Sequence, residues 1–362
     1  MLKLGFDVSR HQDKILDFIT INSPFSELPK SQITKKEEIL NEKLNLFKST
    51  NSTFSAFLSM MGLTHEFSQI NKTPPWLPVD YYKIDREHNL DISSKIIQSS
   101  GTGESGVSKV GIDQFTAKIQ VVTLQKILND FVGVERVPML IVDKAINQKN
   151  RISMSASQIA SIGLSYKASS VEYAISESGD LDVAIVNSFI QRNINQKFII
   201  FGFTFNLYRH LVLNDLVTKW NAPKGIIVHG GGWKKLDSAR ISRQKFKEIL
   251  KYKFNVCQVH DYYGMAEQTG SIYVECEQSK FHVSNYSDLL VLDSNFKPCR
   301  IGQTGLIQTI SLIPYTYPGF SILTLDLGYL DGDDVCLCGR KGKTFQVLGR
   351  INKAQIRGCS DS

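Results

Sequence analysis

Between Met139 and Tyr252, short apolar runs alternate with stretches of helical periodicity, and this restricts the fold more than any other feature of the chain. Met139–Val142, Val183–Val186, Phe198–Phe203 and Ile226–Val228 are almost wholly apolar. Strands read this way when helices cover both faces of their sheet. Asn206–Val217 and Ser242–Tyr252 carry the helical spacing between them. The alternation predicts parallel βαβ units. Beyond about Tyr263 the pattern changes. Ser271–Glu275, Leu289–Leu292, Leu306–Ile310 and Ile322–Leu325 read as strands, with turns at Asn295–Pro298 and Gly302–Gly305. That part is expected to be β-rich and antiparallel.

Ahead of the alternation the chain reads as helical. Thr34-Lys-Lys-Glu37 has the form of a capping box opening a segment with Ile39, Leu40, Leu44 and Phe47 on one side. A second helix is predicted from Asp113 to Phe131. The hydrophobic content, 42% against 21% charged, supports a large core and excludes a disordered chain. The most apolar stretch, Phe198–Leu213, is broken by Asn206, Arg209 and His210, so no membrane span is expected. The first residues carry Asp7 and Asp13 and lack the apolar core of a signal peptide. A cytoplasmic location is the expectation.

The net charge of +7 is segregated. Lys234–Lys253 holds eight Lys or Arg against Asp237 and Glu248, and Arg340–Arg357 holds six with no acid. Each stretch is a local +6, which leaves the rest of the chain at −5. Such segregation suits a polyanionic ligand or an acidic partner, and equally a solvated helix face plus a basic tail.

Five short motifs carry chemistry. Ser99-Ser-Gly-Thr-Gly-Glu-Ser-Gly-Val-Ser-Lys109 alternates hydroxyls and glycines. Its backbone N–H groups and hydroxyls suit phosphate oxygens, although no Gly-Lys-Ser/Thr of the Walker type is present. His229-Gly-Gly-Gly-Trp233 follows an apolar run, as ligand-approach turns do at strand ends. Tyr262-Tyr-Gly-Met-Ala-Glu-Gln268 offers Glu267 as an oxygen ligand for Mg2+. Asp326, in Leu323-Thr-Leu-Asp-Leu-Gly328, is placed to accept from ribose hydroxyls, and Gly349-Arg350 comes last.

The six cysteines cluster toward the end, at 257, 276, 299, 336, 338 and 359. In a cytoplasmic chain this suggests metal ligands or reactive thiols. Cys276, His282, Cys336 and Cys338 supply three thiolates and an imidazole, a set suited to tetrahedral Zn2+, while small buried hydrophobes are the other reading. Cys257 and Cys299 are expected to be structural, and His260 a packed residue rather than a base.

In this order the motifs resemble those of the adenylate-forming enzyme superfamily. Leu77-Pro78, Ser99-Ser-Gly-Thr102, His229-Gly-Gly-Gly-Trp-Lys234, Asp261-Tyr-Tyr-Gly-Met-Ala-Glu-Gln268 and Arg357-Gly-Cys359 are together similar to the acyl-protein synthetase (LuxE) family. Likeness to phenylacetate–CoA ligases and capsule-biosynthesis relatives is more distant. The resemblance runs from about Pro74 to Cys359. It implies an α/β fold: a large adenylate-forming domain with a parallel βαβ sheet and a β-rich C-terminal lobe, lacking the small mobile C-terminal domain. The expected divisions are a helical region over 1–85, an α/β nucleotide-binding core over 86–270, and a β-rich lobe with the zinc site and basic tail over 271–362.

The resemblance also implies ATP- and Mg2+-dependent activation of a carboxylic acid, expected to be a fatty acid, to an acyl-adenylate, and passage of the acyl group to a protein thiol. Ser99, Ser100, Gly101, Thr102 and Gly103 would grip phosphates, and Gly230, Gly231 and Gly232 would flank adenine and acyl group. Tyr263 and Gly264 would lie near the base, Glu267 would bind Mg2+, Asp326 ribose, and Arg350 the ribose or phosphate side. Lys353 is the nearest charge-stabilising lysine. Cys359, beside Arg357, would carry the acyl group to a partner, a reductase or a carrier; no nucleic acid is expected. The family favours Gly-Thr-Thr-Gly where this chain has Gly101-Thr-Gly-Glu104, and an acid there opposes triphosphate binding. Two other readings are a ligase to CoA or a carrier protein in a polysaccharide or secondary-metabolite pathway, and a non-catalytic zinc-containing scaffold for an acidic partner.

Overall fold

The computed structural model describes residues 7–63, 65–67, 73–84, 95–99, 107–146, 153–233 and 241–351. Three helices open it: α1 (Val8–Ile21), α2 (Lys30–Thr50) and α3 (Ser52–Met60). Next come β1 (Leu77–Pro78), α4 (Tyr81–Ile84), β2 (Lys95–Gln98), β3 (Lys109–Ile112) and α5 (Gln114–Val132). The alternating section contains β4 (Val137–Lys144), β5 (Ser153–Ser155), α6 (Ala156–Ser165), β6 (Ala168–Ile175), α7 (Val183–Asn193), β7 (Phe198–Phe203) and α8 (Thr204–Leu207). It closes with β8 (Gly225–Gly230), α9 (Arg243–Phe254), β9 (Gln258–Tyr263) and β10 (Tyr273–Val274). The last part is β11 (Phe281–His282), β12 (Ser287–Leu292), β13 (Gly305–Ser311), β14 (Ser321–Asp333) and β15 (Lys343–Arg350).

The central sheet runs β10-β9-β8-β7-β4-β6, parallel throughout except for the edge strand β10. Every residue of β7 and β8 is buried, as a strand covered on both faces must be. One side packs on α7, α9 and the turn after α8, through Val186, Phe189, Leu211, Phe246 and Leu250. The other side joins α1, α2, α3 and α5 in a continuous core. The second sheet, β11-β15-β14-β13-β12, is antiparallel and takes β1 alongside β14 in parallel. A third sheet, β3-β2-β5, has three strands, of which β2 and β3 flank the Ser/Gly-rich motif in sequence.

Local chemistry sets the helix ends. The Asp113 carboxylate accepts from Thr116 N at 2.7 Å to start α5, and Gly133 at φ +83° stops it. Ser155 and Gln158 form a reciprocal capping box on α6. Ser242 caps α9, and Asn255 ends it in the left-handed region at φ +46°.

Three sequence expectations change. Val183–Val186 is the first turn of α7, because Asp182 accepts from Ile185 N and caps it. Its apolar run continues at helical spacing to Phe189 and Ile190. The Thr34–Glu37 motif is not a helix start. The helix begins at Lys30 after Pro29, and the Thr34 hydroxyl donates back to Lys30 O within it. The pattern over Asn206–Val217 ends early, as α8 widens into a π-helical turn over Tyr208–Val212. Among the described residues no helix is long and apolar enough to cross a membrane.

The N-terminal helices are fastened to the antiparallel sheet. Lys43 is fully buried and donates to the carbonyls of Leu312 and Pro314. Lys36 Nζ donates to Ser287 O at 2.6 Å, and Tyr286 OH to Asn22 O at 2.6 Å. Burial depresses both lysines, most strongly Lys43.

Candidate active site

A cavity of about 1400 Å³ opens at the carboxyl ends of β7, β8 and β9, where an open α/β sheet characteristically binds ligands. Phe203 and Thr204 line it from the end of β7, His229, Gly231 and Gly232 from the end of β8, and Asp261 through Glu267 from the end of β9. β14 adds Thr324 and Asp326, and β15 adds Gly349 and Arg350. The cavity thus lies where the two large sheets meet.

Ser99 lines the cavity at the end of β2. Its hydroxyl accepts from Ser108 N at 3.0 Å, while its own amide donates to Ser108 O at 3.0 Å. This pairing ties the two ends of the Ser/Gly-rich motif together. Ser100, Gly101, Thr102, Gly103 and Glu104 lie outside the described residues, as do Lys353 and Cys359.

The three glycines at the end of β8 differ in how far the fold requires them. A Cβ on Gly230 would lie 2.5 Å from the Tyr262 ring, so the absent side chain makes room for β9. Gly231 sits at φ +77°, open only to glycine at little cost, and a Cβ on Gly232 would meet nothing within 4 Å. Gly264 follows Tyr263, where a Cβ would touch Ser271 O at 3.4 Å.

Tyr263 OH donates to Asp326 Oδ2 at 2.7 Å, and Arg350 Nε stands 3.8 Å from Oδ1 of the same carboxylate. The Thr324 hydroxyl accepts from Asp326 N at 3.1 Å and fixes the backbone beneath it. Burial pushes the Asp326 carboxyl above its usual range, against the lowering effect of Tyr263 and Arg350. Burial and the adjacent Asp326 raise the Tyr263 phenol further still, so it stays a donor at neutral pH.

Glu267 lies on a single 3₁₀ turn, Ala266–Gln268, and is 4% exposed. Tyr317 OH donates to its carbonyl at 2.8 Å, and the Gln268 amide donates to Thr309 O and Gly319 O. The turn is therefore anchored from β13 and the segment before β14. Burial pushes the Glu267 carboxyl up, opposed by Ser108 beside it and by Lys83 and Arg350. A buried carboxyl facing a cavity suits a cation, which would restore its charged form.

Sequence reading missed a charged cluster behind these residues. Asp261 faces the cavity with Oδ1 at 3.5 Å from His229 Nδ1, and the same nitrogen is 3.0 Å from the Thr204 hydroxyl. Burial pushes Asp261 up to about 8, and the carboxylate of Glu275 adds to the shift. Burial, then Lys247 and Arg243, hold His229 down to about 3, so its ring is neutral. Glu275 is itself fully buried and paired with Lys247 at 2.7 Å and Arg243 at 3.5 Å. His260 is a packed residue whose Nδ1 donates to Glu275 O at 2.8 Å. Asp261 stands inside a motif that reads clearly in sequence, but Glu275 has no local signal.

The basic stretches are only partly free. Arg340 is ion-paired to Asp130 and Glu277 and covers the Phe131 ring at 3.9 Å, and Lys343 pairs with Asp288 at 2.7 Å. From these two stretches, Arg243 and Arg350 are the described cations that reach the cavity.

Cys276, His282, Cys336 and Cys338 come together outside the cavity wall, their ligand atoms all within 4.8 Å of one another. Cys276 Sγ and Cys336 Sγ are 3.8 Å apart, and Cys338 Sγ is 3.3 Å from His282 Nε2. Thiolates about 2.3 Å from one tetrahedral ion stand roughly 3.8 Å apart, so the donor set fits zinc. Burial pushes the Cys276 thiol up to about 12 without a metal. A bound cation would draw off that proton. Cys257 is exposed and Cys299 half-buried.

The sequence profile of the acyl-protein synthetase, LuxE, family matches residues 8–362. The chain belongs to that family. It is 28% identical over 141 residues to the long-chain-fatty-acid–luciferin-component ligase of Vibrio harveyi, a stretch covering 37% of this chain and 35% of that protein. It is 24% identical over 192 residues to the ligase of the same name from Aliivibrio fischeri, covering 50% of this chain and 49% of the relative. The matched stretches thus span about a third and about half the length of these curated relatives. Among solved structures, 2-hydroxyisobutyryl-CoA ligase in the postadenylation state with 2-HIB-AMP superposes with a TM-score of 0.64 at 13% identity, over 90% of this chain and 69% of that one. Its open conformation with 2-HIB-AMP and CoA gives a TM-score of 0.60 at 13% identity, over 88% and 76%. At that identity the likeness is one of fold, and it agrees with the expected adenylate-forming architecture.

Proposed function

We propose that this LuxE-family protein is an ATP-dependent ligase that activates a fatty acid to an acyl-adenylate and passes the acyl group to a protein thiol. The supporting observation is the convergence on one cavity of Glu267, the Tyr263–Asp326 pair, Arg350 and the glycine turn after β8. Membership of the LuxE family and the names of the two ligases point the same way.

On this reading Asp326 accepts from the ribose hydroxyls of ATP, held in place by Tyr263. Gly230, Gly231 and Gly232 with Tyr263 and Gly264 border the adenine, and Arg350 faces the ribose or phosphate side. Ser99 opens the motif that would grip the phosphates, with Ser100, Gly101, Thr102 and Gly103 assigned to the same role. Glu267 would hold Mg2+, which supplies charge neutralisation while two anions approach. The acid's carboxylate attacks the α-phosphate, pyrophosphate leaves, and AMP becomes the leaving group for a thiolate. Cys359 is the proposed acyl carrier. It follows Ile351, which lines the cavity, by eight residues, an extended reach of roughly 27 Å. Lys353 is assigned the charge-stabilising role and a reductase or carrier the role of acceptor. The Cys276–His282–Cys336–Cys338 set would hold structural zinc, and the cytoplasm is the proposed location.

The test is carboxylate-dependent exchange of pyrophosphate into ATP. The reading requires exchange that survives Cys359→Ser and fails in Glu267→Ala. Absence of exchange with every acid overturns it.

A further inference from the structure

Away from the cavity, the two large sheets meet again at the cysteine cluster. Cys276 stands two residues beyond β10, the edge strand of the central sheet, and turns back to β11 through its amide bond to Lys280 O at 2.9 Å. His282 ends β11, which pairs with β15 of the antiparallel sheet. Cys336 and Cys338 lie in the connection from β14 to β15. The cluster therefore clasps the same pair of sheets that Tyr263 and Asp326 join inside the cavity.

The four side chains are not equally sheltered. Cys276 and His282 are 0% exposed and Cys336 is 8% exposed, whereas Cys338 is half-buried at the tip of a turn. Its neighbours Val335 and Leu337 are 66% and 89% exposed. Asp334 at φ +56° and Gly339 at φ +86° bend the chain there, and Gly342 N donates to Asp334 Oδ1 at 2.6 Å to close the loop. A small neutral oxidant thus reaches Cys338 without any opening of the fold. Arg340, held by Asp130 and Glu277, donates to the Cys338 sulfur. Cys276 Sγ lies within 4.8 Å of Cys338 Sγ. A disulfide needs about 2.05 Å, so roughly 3 Å of approach at most joins the two.

We propose that this cluster is an oxidation site, at which a peroxide attacks Cys338 and Cys276 resolves the product as a Cys276–Cys338 disulfide, displacing the metal. The Cys338 sulfur attacks one peroxide oxygen, the O–O bond breaks, and hydroxide leaves beside the Arg340 guanidinium and is protonated to water. Cys338 is then a sulfenic acid. The Cys276 sulfur attacks that sulfur, the S–S bond forms, and a second hydroxide leaves and is protonated to water. Two thiols have given up two electrons and two protons, and the peroxide has become two waters. One thiol and one imidazole remain, too few for a closed tetrahedral zinc site. The new bond spans the same two sheets, so the clasp is exchanged for a covalent one.

The test is titration of the full chain, as purified, with hydrogen peroxide at neutral pH. Zinc release is followed with a chromogenic chelator, and the thiols are located by alkylation and peptide mass mapping. About one zinc is released for every two cluster thiols lost, and the cross-linked peptide pairs Cys276 with Cys338. Dithiothreitol with added zinc reverses both changes. The oxidised protein melts above the reduced, chelated protein, as a covalent clasp requires. Cys257→Ser, which removes an exposed thiol outside the cluster, releases zinc at the wild-type rate. Cluster thiols that stay intact while Cys257 is fully oxidised overturn the proposal. A main disulfide that leaves out Cys338, or oxidised protein that melts no higher than the chelated form, also overturns it. A protein that carries no zinc yet forms the Cys276–Cys338 bond keeps the oxidation site and removes the zinc reading alone.

Discussion

The Tyr263 hydroxyl donates to Asp326 Oδ2 across 2.7 Å, linking the carboxyl end of β9 in the parallel sheet to β14 in the antiparallel one. One side chain thereby aims the carboxylate assigned to ribose. Tyr263→Phe leaves Asp326 less firmly held, and ATP affinity measured by calorimetry is expected to fall roughly three- to tenfold, as for a lost hydrogen bond of about 1 kcal/mol. Asp326→Ala removes the acceptor itself and should cost more. Equal ATP affinity in all three proteins would remove the ribose assignment.

The turn after β8 gives a paired prediction. Gly230→Ala places a methyl group 2.5 Å from the Tyr262 ring, and forcing β8 and β9 apart should cost about 1–3 kcal/mol of stability. Gly232→Ala meets nothing within 4 Å and should leave urea unfolding within about 0.5 kcal/mol of wild type. Equal stability of the two variants would refute the close approach at Gly230.

Asp261 predicts a pH dependence of stability. Its carboxyl is raised to about 8 by burial and then by Glu275, so the folded chain retains a proton that the unfolded chain, with its carboxyl near 4, gives up. Burying it neutral is favourable below about pH 4, and that contribution is lost progressively as pH rises toward 8. Each unit of difference corresponds to about 1.4 kcal/mol, reduced here because the side chain keeps 17% exposure. Urea unfolding from pH 5 to 8 should show wild-type stability falling more steeply than that of Asp261→Asn. Parallel slopes would contradict the shift.

The cysteine cluster predicts zinc bound one to one. Plasma emission on protein purified without added metal should find about one zinc per chain, reduced in Cys276→Ser and Cys338→Ser. Chelation should lower the melting temperature, because structural zinc contributes folding free energy directly. A metal-free wild type with unchanged melting after zinc addition would make these residues core thiols.

What was legible in the sequence was local and periodic. β7 and β8 read as buried strands because all six residues of each are covered. α5 and α9 read well because Asp113 and Ser242 cap them and apolar residues recur on one side. Val183–Val186 misled because four apolar residues fit a buried strand or a first helical turn equally, and the Asp182 cap decides it. The Thr34–Glu37 motif misled because Lys30–Thr34 already continues the same helix. Of the site, Glu267, Tyr263, Gly231, Gly232, Asp326 and Arg350 meet at one cavity. The four metal-ligand candidates also meet, although 62 residues separate Cys276 from Cys338. Asp261, Glu275 and Lys247 were invisible as a cluster because tertiary packing alone brings a strand, the end of a second strand and α9 together.

The most direct test of the account is exchange of labelled pyrophosphate into ATP with decanoate and Mg2+, comparing wild type with Glu267→Gln. Glutamine keeps the shape of the side chain but not its charge. The account predicts acid-dependent exchange in the wild type and a loss of at least a hundredfold in the variant, with folding unchanged. Exchange of equal rate in both proteins, or none in the wild type with any acid, would contradict it.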